Sequence, residues 1–116
     1  MNDLEHKEQV ALIQWFDLQI KDHKIFAIPN GGDRNIVVAK KLKAEGVRAG
    51  VPDLFLPTAK GIFHGLFIEM KAGKNKVTEK QSEWIDYLNS RGFKAMACYS
   101  WLEAKQEIET YLGLWE

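Results

Sequence analysis

The stretch GVPDLFLPTAKGIFHGLFIEMK, residues 50–71, decides the fold. Gly50-Val51-Pro52 leads into a short strand, Asp53 to Leu56, and Pro57 ends it. Lys60-Gly61 suits a turn, and Phe63 to Lys71 reads as a longer strand. Along it Leu66, Ile68 and Met70 face one way, while Phe67, Glu69 and Lys71 face the other. Two strands joined by so short a connection favour an antiparallel hairpin. The start of the first strand then lies beside the end of the second, so Asp53 and Glu69 can converge. Lys71 shares a face with Glu69, and the backbone carbonyl of Met70 is exposed between them.

On the N-terminal side, an amphipathic helix is expected from about Asp3 to Lys21, with Asp3 as its cap. Leu12, Phe16 and Ile20 recur at helical spacing, with Trp15 beside them. Glu5 and Gln9 extend this stripe backwards, which puts a carboxylate on the inward face. A first-turn Glu favoured by the helix dipole is the competing account of Glu5. Ile25 to Ile28 is extended and is broken by Pro29-Asn30-Gly31-Gly32. A second helix is expected over Asn35 to Glu45, with Gly46 as its stop.

On the C-terminal side, Ala72 to Val77 forms a loop bearing Gly and Lys. Thr78-Glu79-Lys80-Gln81 matches a capping box and opens a helix whose apolar face is Trp84, Ile85 and Leu88. Phe93 to Tyr99 reads as a strand. Ser100-Trp101-Leu102-Glu103 is a second capping box, and the last helix carries Trp101, Ala104, Ile108, Tyr111 and Leu112 on one stripe. The pattern predicts one α/β domain over residues 1–116, with a mixed sheet and helices on both faces.

The chain has 116 residues, of which 46% are hydrophobic and 28% charged, so it can build a core without disulfide staples. Lone Cys98 excludes an internal disulfide and a multi-cysteine zinc site, and the apolar run around it marks a buried structural thiol. The three histidines, His6, His23 and His64, have no metal-ligand spacing, which disfavours a zinc hydrolase. His6 and His23 are expected at the surface. No apolar run is long enough to cross a membrane and no signal peptide opens the chain, so a cytoplasmic protein is expected. The formal net charge is zero, which by itself argues weakly against nucleic-acid binding. Its distribution matters more than the total, although a solvated surface is the rival account of each basic cluster. Lys40, Lys41, Lys43 and Arg48 form one basic cluster and Lys71, Lys74, Lys76 and Lys80 another.

Two carboxylates, a backbone carbonyl and water make a hard oxygen site suited to Mg²⁺ or Mn²⁺. Such an ion can polarise a phosphodiester and acidify a bound water. A nearby Lys71 can orient that water or stabilise developing negative charge. An exposed salt-bridged Glu69–Lys71 pair is the rival account, since Glu-x-Lys alone is a common pattern. The largely apolar run from Phe63 to Met70 marks a central strand rather than an edge, and charged residues at its end need a reason.

These pieces, in this order, resemble the VRR-NUC family of the PD-(D/E)XK nuclease superfamily over nearly the whole chain. The matching parts are Glu5 with Gln9, Pro29-Asn30-Gly31-Gly32 with Arg34, Gly50-Val51-Pro52-Asp53, Glu69-Met70-Lys71, and Gln81. The resemblance implies a restriction-endonuclease-like core and a Mg²⁺- or Mn²⁺-dependent DNA nuclease. Asp53 and Glu69 would hold the metal, with the Met70 carbonyl as a further ligand. Lys71 would be the catalytic lysine, Glu5 would complete the site, and Gln81 would lie near the metal or the scissile strand. Asn30 and Arg34 would sit on a substrate-facing loop, and Lys74, Lys76 and Lys80 would grip DNA. In size and pairing the chain looks like a Holliday-junction resolvase, which implies a homodimer acting on branched DNA. Nicking, flap or exonuclease activity on the same fold, or a non-catalytic DNA-binding module, are the alternatives.

Overall fold

A computed structural model describes residues 1–29 and 35–114. The elements follow one another as α1 (Asp3–Gln19), β1 (Phe26–Ala27), α2 (Ile36–Ala44), β2 (Leu54–Leu56), β3 (Leu66–Met70), α3 (Glu79–Ser90), β4 (Lys94–Cys98) and α4 (Trp101–Leu112). The four strands form one mixed sheet in the order β1-β2-β3-β4. β2 and β3 make the expected antiparallel hairpin, with Leu54 opposite Ile68 and Leu56 opposite Leu66. β4 runs parallel to β3, reached through α3 as the crossover.

Strand alternation divides the sheet into two unlike faces. Leu54, Leu56, Leu66, Ile68 and Met70 turn to one side and pack with Leu12 and Phe16 of α1 and Ala104, Ile108, Tyr111 and Leu112 of α4. This is the apolar core, and Cys98 is buried in it. Burial pushes the Cys98 thiol up to about 12, so it stays protonated and inert. The other face carries aromatic rings. Phe55 and Phe67 stack with centroids 4.2 Å apart, and Phe93 meets both edge-on. Helix α3 covers part of this face through buried Leu88. Helices therefore lie on both sides of a mixed sheet.

Several boundaries differ from the sequence reading. Asn2, not Asp3, caps α1, accepting from the Glu5 N–H. The Thr78–Gln81 capping box forms with both bonds. At Ser100 only the serine half forms, and Glu8 of α1 accepts from the next N–H, that of Trp101. β3 starts at Leu66 because Phe63 is committed to a bridge with Lys60, and Gly65 lies against the Phe55 ring where a Cβ would come within 2.7 Å. Trp84 stays half-exposed, edge-on to Tyr87, rather than joining a core stripe. His6 is exposed, whereas His23 is half-buried and hydrogen-bonds the Thr58 hydroxyl at 3.0 Å. Helix α2 buries no residue at all. Among the described residues no helix is long and apolar enough to cross a membrane.

Candidate metal and catalytic site

The fold gathers four ionisable side chains at the end of the hairpin away from its turn. Glu5 is 6% exposed, Asp53 9%, Glu69 3% and Lys71 5%. Groups of this kind are almost never buried unless paired. Three carboxyls against one ammonium is an unbalanced set, and low-dielectric surroundings make the imbalance costly.

Asp53 is fixed from several directions. Its backbone carbonyl accepts from the Ile28 N–H at 2.7 Å, which ties it to β1. Its Oδ2 accepts from the Met70 N–H at 2.8 Å. The reason lies one residue earlier. The Lys71 N–H donates to Cys98 on β4, so the peptide groups of Met70 face β2. Continuing the register from Leu54–Ile68 would set Met70 opposite Pro52. Proline has no N–H to give. The Met70 carbonyl thus gains no ladder donor from β2, and the Met70 N–H turns to the Asp53 side chain. Gly50 supports the same turn. Its φ is +91°, and a Cβ there would lie 2.8 Å from the Lys80 backbone at the start of α3. That close approach packs the Asp53 turn against the helix that carries Gln81.

Glu69 lies opposite Asp53 on the continued register, and the two carboxyls are within hydrogen-bonding reach of each other. Burial raises both, and the neighbouring Asp53 charge adds to it at Glu69, whose carboxyl is pushed up to about 9. Burial and neighbouring negative charge thus favour the protonated form at both carboxyls. Lys71 opposes this shift at both residues and Glu5 reinforces it. Gln81 reaches Glu69 Oε2 with its Nε2 at 3.3 Å, while its Oε1 accepts from the Thr78 N–H at 2.9 Å. One amide serves the capping box and the site at once. Glu69 Oε1 is buried with no hydrogen-bond partner.

These features suit a small hard cation. Two adjacent buried carboxyls, an orphaned carboxylate oxygen and a carbonyl freed by proline offer oxygen donors with, among the described residues, no counter-charge beyond Lys71. No cluster of three or more acidic, histidine or cysteine side chains able to hold a metal forms among the described residues. Glu5 bears on the carboxyl pair through its charge.

The comparisons with known proteins give the family and the fold. The VRR-NUC domain profile matches residues 3–101. The chain belongs to the VRR-NUC family. A solved structure described as a VRR_NUC domain protein is 29% identical, covers 98% of this chain and 92% of its own, and superposes with a TM-score of 0.83. A second, described as a VRR_NUC domain, is 19% identical, with coverages of 95% and 99% and a TM-score of 0.63, and speaks to the fold alone. No curated protein matches the chain. The chain is thus a nuclease-type domain.

Within this VRR-NUC domain the expected residues fall into three groups. Glu5, Asp53, Glu69, Met70, Lys71 and Gln81 come together at one end of the sheet. Lys74, Lys76 and Lys80 are exposed on the adjoining loop and helix start. Asn30 and Arg34, expected on a substrate-facing loop, lie outside the described residues. Sequence reasoning passes over Asn75, whose Nδ2 donates to Glu5 Oε2 at 2.7 Å. The partners are 70 positions apart, and the only local sign is a neutral amide between two lysines.

Proposed function

We propose that this domain is a Mg²⁺- or Mn²⁺-dependent endonuclease that hydrolyses DNA phosphodiester bonds, selective for branched DNA and active as a homodimer. The observation that carries the reading is the pair of buried carboxyls, Asp53 and Glu69, which among the described residues has only the buried Lys71 as a counter-charge. A module that only binds phosphates has no reason to bury carboxylates where the substrate approaches, because they repel it.

Asp53 and Glu69 would hold the cation, with the Met70 carbonyl available as a third oxygen. A divalent ion at this point supplies a polarised phosphodiester and a water acidic enough to attack near neutral pH. Lys71, held on the face shared with Glu69, orients that water or stabilises charge building on the phosphate. Gln81 fixes the rotamer of Glu69. Lys74, Lys76 and Lys80 contact the backbone of the DNA and set the strand over the site. Two-fold pairing, the commonest symmetry for small oligomers, would present two such sites to two strands of a branch.

The test is a panel of labelled four-way junction, flap, duplex and single-stranded DNA, each incubated with Mg²⁺, Mn²⁺ or chelator, alongside solution mass measurement of the protein. Paired metal-dependent nicks on the junction by a dimer support the proposal. Binding across the panel with no cleavage in either metal overturns it in favour of a binding module. Cleavage of ends or flaps alone replaces junction selectivity with another nuclease mode.

A further inference from the structure

Glu5 reaches the site from α1, and a side chain at a helix start needs something to hold it in place. One amide comes from its own helix, because Asn2 Nδ2 lies 3.4 Å from Glu5 Oε2, a long and weak contact. The other comes from the loop between β3 and α3, where Asn75 Nδ2 sits at 2.7 Å from the same oxygen. This loop is also seated on the helix start. The Leu4 side chain lies 3.7 Å from where a Cβ on Gly73 would be, and Asn75 is set by a turn in which its N–H donates to the Ala72 carbonyl.

We propose that Asn75 is a positioning residue that holds the Glu5 carboxylate in its buried place at the start of α1 and couples it to the lysine-bearing loop. This rests on the metal-nuclease reading above. The residue type fits the task. Lysines flank it at 74 and 76, both exposed, yet the one position of the loop that binds Glu5 is a neutral amide. A lysine there would neutralise Glu5 and repel a cation. An amide donates a hydrogen bond and leaves the negative charge intact. The same segment that meets phosphates through Lys74 and Lys76 thus steers the acid through Asn75, so substrate contact and site geometry move together. Outer-sphere hydrogen bonds of this kind orient the groups nearest a metal.

The experiment compares the parent with Asn75→Ala, Asn75→Asp, Glu5→Gln and the Asn75→Ala/Glu5→Gln double variant. Mn²⁺ binding is read by titration calorimetry, with single-turnover cleavage, DNA affinity and melting temperature on the same samples. Asn75→Ala should weaken Mn²⁺ binding or cleavage by roughly 10–100-fold, as loss of such partners does. DNA affinity and its salt dependence should hold steady. Asn75→Asp should be worse than Asn75→Ala, since it sets a second carboxylate against Glu5. In the double variant the losses should not multiply, because both substitutions remove one interaction. Parent-like Mn²⁺ binding and cleavage in Asn75→Ala, or losses that multiply with those of Glu5→Gln, overturn the proposal for Asn75 alone. If Glu5→Gln itself binds Mn²⁺ and cleaves like the parent, the assignment of Glu5 fails, and the role of Asn75 falls with it.

Discussion

The two ends of the β2–β3 hairpin are built from the same kinds of residue and solve opposite problems. At the turn end, polar groups find partners. The Tyr111 hydroxyl donates to the Thr58 carbonyl at 2.6 Å, and Lys94 sits 4.0 Å from Glu107 and over the Phe63 ring. The hollow there, about 450 Å³, is lined by Lys60, Phe63, Lys94 and Tyr111, and its lysines stay at least partly in solvent. At the open end three carboxyls and one ammonium are buried together, one carboxylate oxygen has no partner, and a proline has removed a ladder donor. A fold under selection for stability alone would resemble the first end. The second end holds an electrostatic deficit that a divalent cation would relieve, and buried, mismatched charge of this kind marks functional sites.

The largest break in the comparison should come from Lys71. Lys71→Ala should reduce single-turnover cleavage by roughly 10²–10³, the scale for losing a preorganised charge-stabilising group. DNA affinity should change far less, since one phosphate contact among several is a small share of binding. Lys71→Arg should also lose most activity, because a planar guanidinium does not reproduce the compact ammonium. Cleavage of the alanine variant at the parental rate would remove Lys71 from the chemistry.

Next in size is a pH effect that only the open end should show. The Glu69 carboxyl, usually near 4.5, is raised to about 9 in the fold. The folded state therefore holds a proton that the unfolded chain releases, so its stabilising contribution is complete below about 4.5 and is lost as pH rises towards about 9. In metal-free buffer the melting temperature should fall across that window, and Glu69→Gln should flatten the fall. Mn²⁺ must displace the proton, so its apparent affinity should climb over the same range. A melting temperature that rises with pH there would contradict the burial argument.

Substrate grip should give a graded response. Neutralising Lys74, Lys76 and Lys80 together should reduce the salt slope of DNA binding by about 0.9 for each phosphate that the protein ceases to neutralise. An unchanged slope would put the DNA on another surface, such as the exposed Lys40, Lys41 and Lys43 of α2. The smallest effect belongs to the turn end. Tyr111→Phe removes one hydrogen bond and should lower stability by about 1 kcal/mol while leaving cleavage per folded molecule intact. A cleavage defect there would mean that the two ends are not independent.

The open end is largely legible in the sequence because its logic is periodic. Strand alternation puts Glu69 and Lys71 on one face, and a short hairpin brings Asp53 beside them. The inward stripe of α1 foretells the burial of Glu5. What periodicity does not carry is contact between distant loops, and Asn75 against Glu5 is such a contact. Nor does it settle competition for a helix start. Asn2 displaces Asp3 as the α1 cap, and Glu8 takes the Trp101 N–H that a Ser100 capping box would have left to local groups. Gln81 reads as either a cap or a site residue, and its amide closes the cap with its acceptor while its donor reaches Glu69. Trp84 looks like core by spacing, yet of the α3 stripe only Leu88 is fully buried and Trp84 stays half-exposed.

The most direct test of the central claim is calorimetric titration of Mn²⁺ into the parent and into Asp53→Asn at the same pH, in two buffers of different ionisation enthalpy. The account predicts saturable binding to the parent accompanied by proton release, and binding to Asp53→Asn weakened by at least the roughly 10–100-fold that loss of an outer-sphere partner costs. Equal affinity in the two proteins, or no binding to the parent while it still cleaves DNA, would contradict it.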